Sequence, residues 1–172
     1  MALADKLAAA LVPLIDRTPF VLWGHSMGAH LAFETARLLR RRNLPMPQQL
    51  VVTASPAPQL PRHKRAWYTL PYKQLAAELH KLIGLPMELM DEPQLLGFLV
   101  PALRADLYLF ETAVFKQEPP LSIPITVLGG NHDPLVNVKE LEAWREQTNG
   151  HLRLKLIDGD HFFLHTAQEF IL

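Results

Sequence analysis

Apolar residues recur along the chain at two periods, and the switches between them predict its elements. Leu3, Leu7, Leu11 and Leu14 or Ile15 fall at helical spacing, which predicts an amphipathic helix ending before Thr18-Pro19. Phe20-Val21-Leu22-Trp23 is a short apolar run bounded by Pro19 and Gly24, the pattern of a buried strand. A helical pattern follows from about Met27 to Arg42, with Leu31, Phe33, Leu38 and Leu39 among its apolar positions. Arg40, Arg41 and Arg42 sit in its last turn, where they would complement the helix dipole, and Asn43 with Pro45 marks its end. Leu50-Val51-Val52-Thr53 predicts a second strand, and the three prolines between Ser55 and Pro61 predict a loop.

From Leu70 to about Phe115 the pattern is again helical, punctuated by Pro71, Pro86, Pro93 and Pro101. A proline ends or kinks a helix, so separate helices are expected over Tyr72–Ile83, Glu92–Leu99 and Ala102–Phe115. Strand character returns at Ile125-Thr126-Val127-Leu128, a helix is expected over Lys139–Thr148, and Leu152 to Ile157 alternates apolar and basic residues as a half-exposed edge strand would. A last helix is expected from near Thr166. Strands alternating with helices predict an α/β fold with a largely parallel sheet of about four strands and a helical insertion.

Composition narrows the function classes. A chain of 172 residues is long enough for one domain with a sizeable core. Its lack of cysteine excludes disulfides, thiolate metal sites and a cysteine nucleophile. Lys plus Arg and Asp plus Glu are 17 each, and a neutral balance argues against nonspecific nucleic-acid binding. No run approaches the ~18 apolar residues of a membrane span. Leu7 to Ile15 follows Asp5 without a basic segment or a small-residue cleavage site, so no export signal is read and a cytoplasmic location is expected.

The sharpest motif is Gly24-His25-Ser26-Met27-Gly28, a match to G-x-S-x-G between an expected strand and an expected helix. In that setting a sharp turn would expose the Ser26 hydroxyl, with Gly24 and Gly28 leaving room for neighbouring backbone. The helix N-terminus adds partial positive charge, and the Met27 N–H would face a developing oxyanion. A serine nucleophile needs a base oriented by an acid, in the chain order Ser, Asp or Glu, His. His161 follows the last expected strand, in Asp158-Gly159-Asp160-His161-Phe162-Phe163-Leu164. Asp133 follows the strand before, in Gly129-Gly130-Asn131-His132-Asp133-Pro134. His165 is the alternative base, and Asp106, Asp158 and Asp160 are alternative acids. His25 is read as packing or hydrogen-bonding locally within the turn. No metal site is expected, since His161 and His165 lack the glutamate of H-E-x-x-H.

These segments, with Gly24 to Ala29, Leu103-Arg104-Ala105-Asp106, Leu128 to Gly130, Asp133-Pro134 and His161 to Leu164 in order, resemble the type II thioesterases of nonribosomal peptide and polyketide synthesis. The resemblance covers essentially the whole chain. It implies an α/β-hydrolase fold in a single domain, with a core of residues 1–55 and 121–172 and a helical lid over about 56–116. It implies a Ser26–Asp133–His161 triad that hydrolyses acyl groups from the phosphopantetheine of acyl or peptidyl carrier domains, with no cofactor of the enzyme's own. Arg62-His63-Lys64-Arg65 would then meet an acidic carrier. A generic carboxylesterase, or an inactive remnant that only binds partners, is the alternative. The family has strands before the nucleophile and a His-Pro, Gly-rich loop supplying a second oxyanion N–H. Here one helix and one strand precede Ser26, so the fold is expected to be N-terminally truncated, with a sheet edge open for pairing. Asp160 stands where the family usually has glycine.

Overall fold

The computed structural model describes residues 2–15, 18–61, 66–83 and 93–165. They form two compact units, one of Met1–Leu60 with Gln117–Leu172 and one of Pro61–Lys116.

The first unit is built on four parallel strands in chain order, β1 (Val21–His25), β2 (Gln49–Thr53), β3 (Ile125–Gly130) and β4 (Leu152–Ile157). Helix α1 (Ala2–Ile15) packs on α2 (Met27–Arg41), which in turn packs on β1 and β2. β2 and β3 form the middle of the sheet, and Leu50, Val52, Ile125 and Val127 are almost wholly buried there. β4 is an edge, with Arg153 and Lys155 exposed, as its alternating sequence predicts. β1 is the other edge, and its Val21 and Trp23 stand open to solvent while Leu22 faces inward.

Three expectations change in this unit. The third strand runs on past Leu128, the last residue of its expected run, through Gly129 and Gly130, which pair with Leu156 and Ile157. The helix expected over Lys139–Thr148 is a short α5 (Val138–Glu142), opened by an Asn137–Glu140 capping box, followed by a 3₁₀ turn over Ala143–Gln147. Gly28 is uncrowded: a Cβ built there meets nothing within 4 Å among the described residues. At Gly24 it would sit 2.1 Å from the Gly28 carbonyl oxygen, so only that glycine is required by close approach.

The arginines at the end of α2 do more than complement its dipole. Buried Arg37 pairs with Glu34 and Glu118 at 2.7 Å each, Arg40 with Glu118 at 2.8 Å, and Arg41 with Glu118 at 2.5 Å. Arg40 also donates to the Pro119 and Pro120 carbonyls, and Arg42 pairs with Asp5 on α1. Burial pushes the Glu118 carboxyl up, but hydrogen bonds from Arg37 and Arg40, the Arg37 charge and Arg41 outweigh it and hold the group below its ordinary value.

The second unit holds a 3₁₀ turn (Trp67–Thr69), α3 (Tyr72–Ile83) and α4 (Pro93–Thr112). α4 replaces the two helices expected on either side of Pro101. It continues through that proline and forgoes one backbone bond there, a local cost of about 3 kcal/mol that the flanking turns outweigh. Arg104 on α4 donates to the Tyr68 carbonyl at 2.7 Å and also to that of Leu70. Glu111 accepts from the Trp67 N–H at 3.1 Å, and Tyr68 meets Tyr108 edge to face. A cleft of about 600 Å³ in this unit is lined by Trp67, Leu70, Gln74, Ala77 and Glu78. The segment Arg62–Arg65 and the helix expected from Thr166 lie outside the described residues.

Candidate active site

Parallel strands bring their carboxyl ends to one edge of the sheet, and the loops leaving β1, β3 and β4 carry the three chemically distinctive side chains. Ser26 lies between β1 and α2 at φ 53°, ψ −119°, a left-handed conformation that a non-glycine residue adopts only at a cost of about 1–3 kcal/mol. Two features hold it there. Its N–H donates to the Thr53 carbonyl at 2.8 Å, and the missing Cβ of Gly24 lets the backbone of Gly28 pass. The Ser26 side chain makes no capping bond to the helix, so it is not serving as an N-cap.

His161 is buried between the other two groups. Its Nε2 lies 3.1 Å from Ser26 Oγ and its Nδ1 lies 2.8 Å from Asp133 Oδ2. Asp133 is in turn fixed by its other oxygen, which accepts from the N–H groups of Leu135 at 2.8 Å and Val136 at 3.3 Å. The side chain of Asp133 is 1% exposed and that of His161 6%. Ser26, His161 and Asp133 are joined in one hydrogen-bonded line, the arrangement that nucleophilic catalysis requires of a hydroxyl, a base and an orienting acid.

The loops meet because glycine lets them. A Cβ on Gly130 would lie 2.2 Å from the Asp160 carbonyl oxygen and 2.5 Å from that of Gly159. The His132 N–H donates to Gly159 O, and Asn131 bonds both the Gly159 N–H and the Asp158 carboxylate. Asp160 has a structural part, accepting from the Phe162 N–H at 2.7 Å and so tightening the turn behind His161. Phe163 then anchors that turn in a cluster with Ala54, Leu128 and Ile157.

The alternatives are placed elsewhere. His165 is exposed and meets Phe162, Asp158 is exposed beside His132 and Asn131, and Asp106 is exposed on α4. Met27 is the first residue of α2, so its N–H has no intrahelical carbonyl to reach. Among the described residues no group of three or more His, Asp or Glu is arranged to hold a metal ion.

The α/β-hydrolase fold defined by this sheet, elbow and loop order is the class. The chain belongs to the thioesterase family: the model of the Thioesterase domain matches residues 1–172, and solved type II thioesterases share the fold. The RedJ thioesterase of the prodiginine pathway in Streptomyces coelicolor superimposes with a TM-score of 0.89 at 35% identity, over 98% of this chain and 66% of that one. YbtT, the type II thioesterase of the yersiniabactin pathway, does so with a TM-score of 0.87 at 36% identity, over 99% and 70%. The curated relative named linear gramicidin dehydrogenase LgrE, of Brevibacillus parabrevis, is 39% identical over 170 residues, which are 97% of this chain and 64% of that protein. The chain thus spans less than two thirds of the length of that relative.

Proposed function

We propose that the chain is a serine thioesterase that removes acyl groups from the phosphopantetheine arm of acyl or peptidyl carrier domains, an editing activity in nonribosomal peptide or polyketide synthesis. The observation that carries this reading is the continuous line Ser26 Oγ–His161–Asp133 at 3.1 and 2.8 Å. Ser26 Oγ attacks the thioester carbonyl while His161 Nε2 takes its proton. Asp133 holds the imidazole and balances its positive charge. The Met27 N–H stabilises the tetrahedral oxyanion. The C–S bond breaks, His161 returns the proton to the thiolate, and an acyl-Ser26 ester remains. Water, deprotonated by His161, then releases the acid and restores the serine.

The substrate class follows the resemblance and is supported by the solved relative YbtT, named for a nonribosomal peptide/polyketide pathway. Partners are accordingly carrier domains, and the cytoplasm is the compartment where they meet. We place a second contact at the β1 edge, where Val21 and Trp23 are exposed and no strand lies on the outer side among the described residues.

Covalent labelling by a fluorophosphonate tests the chemistry. Labelling is expected at Ser26 and is expected to vanish in Ser26→Ala, with turnover falling on the order of 10⁴-fold or more. A folded wild-type protein that takes up no label would leave only partner binding. Turnover of acyl-carrier thioesters against p-nitrophenyl esters tests the substrate. Equal or better ester turnover would turn the reading to a carboxylesterase.

A further inference from the structure

His25 is a half-buried imidazole at the site that the mechanism above leaves idle. It closes β1 on the strand face that also bears Val21 and Trp23, in a cross-strand row with Thr53 of β2 and Leu128 of β3. Unlike Val21 and Trp23 it is covered, because the turn carrying His161 lies over it. Its ring centroid is 5.2 Å from that of His161, 5.8 Å from Phe162 and 6.4 Å from Phe163.

The ring is also tethered. Its Nδ1 lies 3.0 Å from Thr53 Oγ1, and that hydroxyl donates to the Gly24 carbonyl at 3.2 Å. A hydroxyl has one proton to give, so Thr53 Oγ1 accepts from the imidazole and Nδ1 carries the ring proton. Nε2 is then a bare acceptor, buried and without a hydrogen-bond partner among the described residues. A phenyl or isobutyl group would fill this floor without leaving a polar atom unpaired, so packing alone does not account for an imidazole.

Building on the serine-hydrolase reading of the site, we infer that His25 is a positioning residue. Its ring, held by Thr53, keeps the His161 imidazole turned so that one nitrogen meets Asp133 and the other Ser26. Burial lowers its pKa to about 4, with His161 and then His165 adding to the effect and Asp133 opposing it. Above that pH it supports His161 as an uncharged neighbour and does not oppose the positive charge His161 gains on taking the serine proton.

Two variants separate tether from ring. Thr53→Val removes the acceptor at nearly constant volume. His25→Asn keeps a short side chain able to bond Thr53 but loses the ring against His161. With native melting temperatures, each is expected to slow fluorophosphonate labelling between about 10- and 100-fold. Each is also expected to weaken the far-downfield resonance of the proton shared by His161 and Asp133, and Thr53→Ser is expected to restore both. Folded variants with wild-type labelling and an unchanged resonance would overturn the proposal. Nitrogen NMR of the wild type gives an independent test: His25 is expected neutral at pH 7 with the proton on Nδ1, and a proton on Nε2 would equally overturn it. If wild-type protein takes no label but the resonance still responds to Thr53→Val, the positioning role stands and the hydrolase reading fails.

Discussion

The two units are held by different means. In the first, four strands share continuous ladders, and Leu50, Val52, Leu121, Val127 and Trp144 are essentially inaccessible to water. In the second, Trp67, Leu75, Ala76 and Leu79 are the buried apolar side chains among the described residues. Leu99, Tyr108, Leu109 and Val114 are left facing out, and side-chain bonds from Arg104 and Glu111 tie helix to turn. The contrast teaches where rigidity is placed. Every group proposed for chemistry stands on the laddered unit, where a base must keep its geometry within a fraction of an ångström. In the helical unit, polar contacts between helix and turn, each worth about 1–3 kcal/mol, add to the apolar packing among the described residues.

The strongest way to break the first unit is at a backbone crossing. Gly130→Ala puts a methyl group against the Asp160 carbonyl, so a loss of more than about 4 kcal/mol is expected, read as a collapsed denaturation midpoint together with lost Ser26 labelling. Next in size is Glu118→Ala, which leaves buried Arg37 with Glu34 as its remaining described carboxylate partner. A loss of about 3 kcal/mol in urea unfolding is expected. The same residue sets an acid limit. A carboxylate held below its ordinary value contributes stability above about pH 4.5 and loses it as pH falls through the lower folded value. Melting temperatures of the wild type should therefore drop more steeply below that pH than those of Glu118→Gln. The smallest effect belongs to the second unit. Arg104→Ala removes two bonds to backbone carbonyls and should speed amide exchange around Tyr68 and Leu70 by a local loss of about 1–3 kcal/mol. Amides of β2 and β3 should keep their protection, and equal deprotection there would erase the distinction between the units.

Much of this was legible in the chain itself, and for reasons that can be named. The strands β1 to β4 are short apolar or alternating runs between Gly and Pro, so hydrophobic period and punctuation agree there. Ser26, Asp133 and His161 are legible because each follows a strand and the motif around Ser26 has a steric rationale. Legibility fails where a residue's part depends on a partner remote in sequence. Arg37 and Arg40 meet Glu118 about 80 residues away, and no local pattern marks that carboxylate as their hub. Gly129 and Gly130 fall outside the apolar run Ile125 to Leu128, and nothing local shows a neighbouring strand in register with them. Pro101 reads as a helix end because its local cost is visible and the support of the flanking turns is not. His25 read as packing or hydrogen-bonding locally within its turn, but its partner Thr53 stands on β2 and its ring meets that of His161 beyond β4, both remote in sequence.

The open flank of β1 also equips the molecule with an optical sensor. Of its three tryptophans, Trp144 is 0% exposed and Trp67 9%, whereas Trp23 on the outer strand is 47% exposed. Collisional quenching by acrylamide should therefore report chiefly on Trp23. Any segment that adds itself along that strand should shield this indole and shift its emission to the blue, so occupancy of the edge can be followed without attaching a dye.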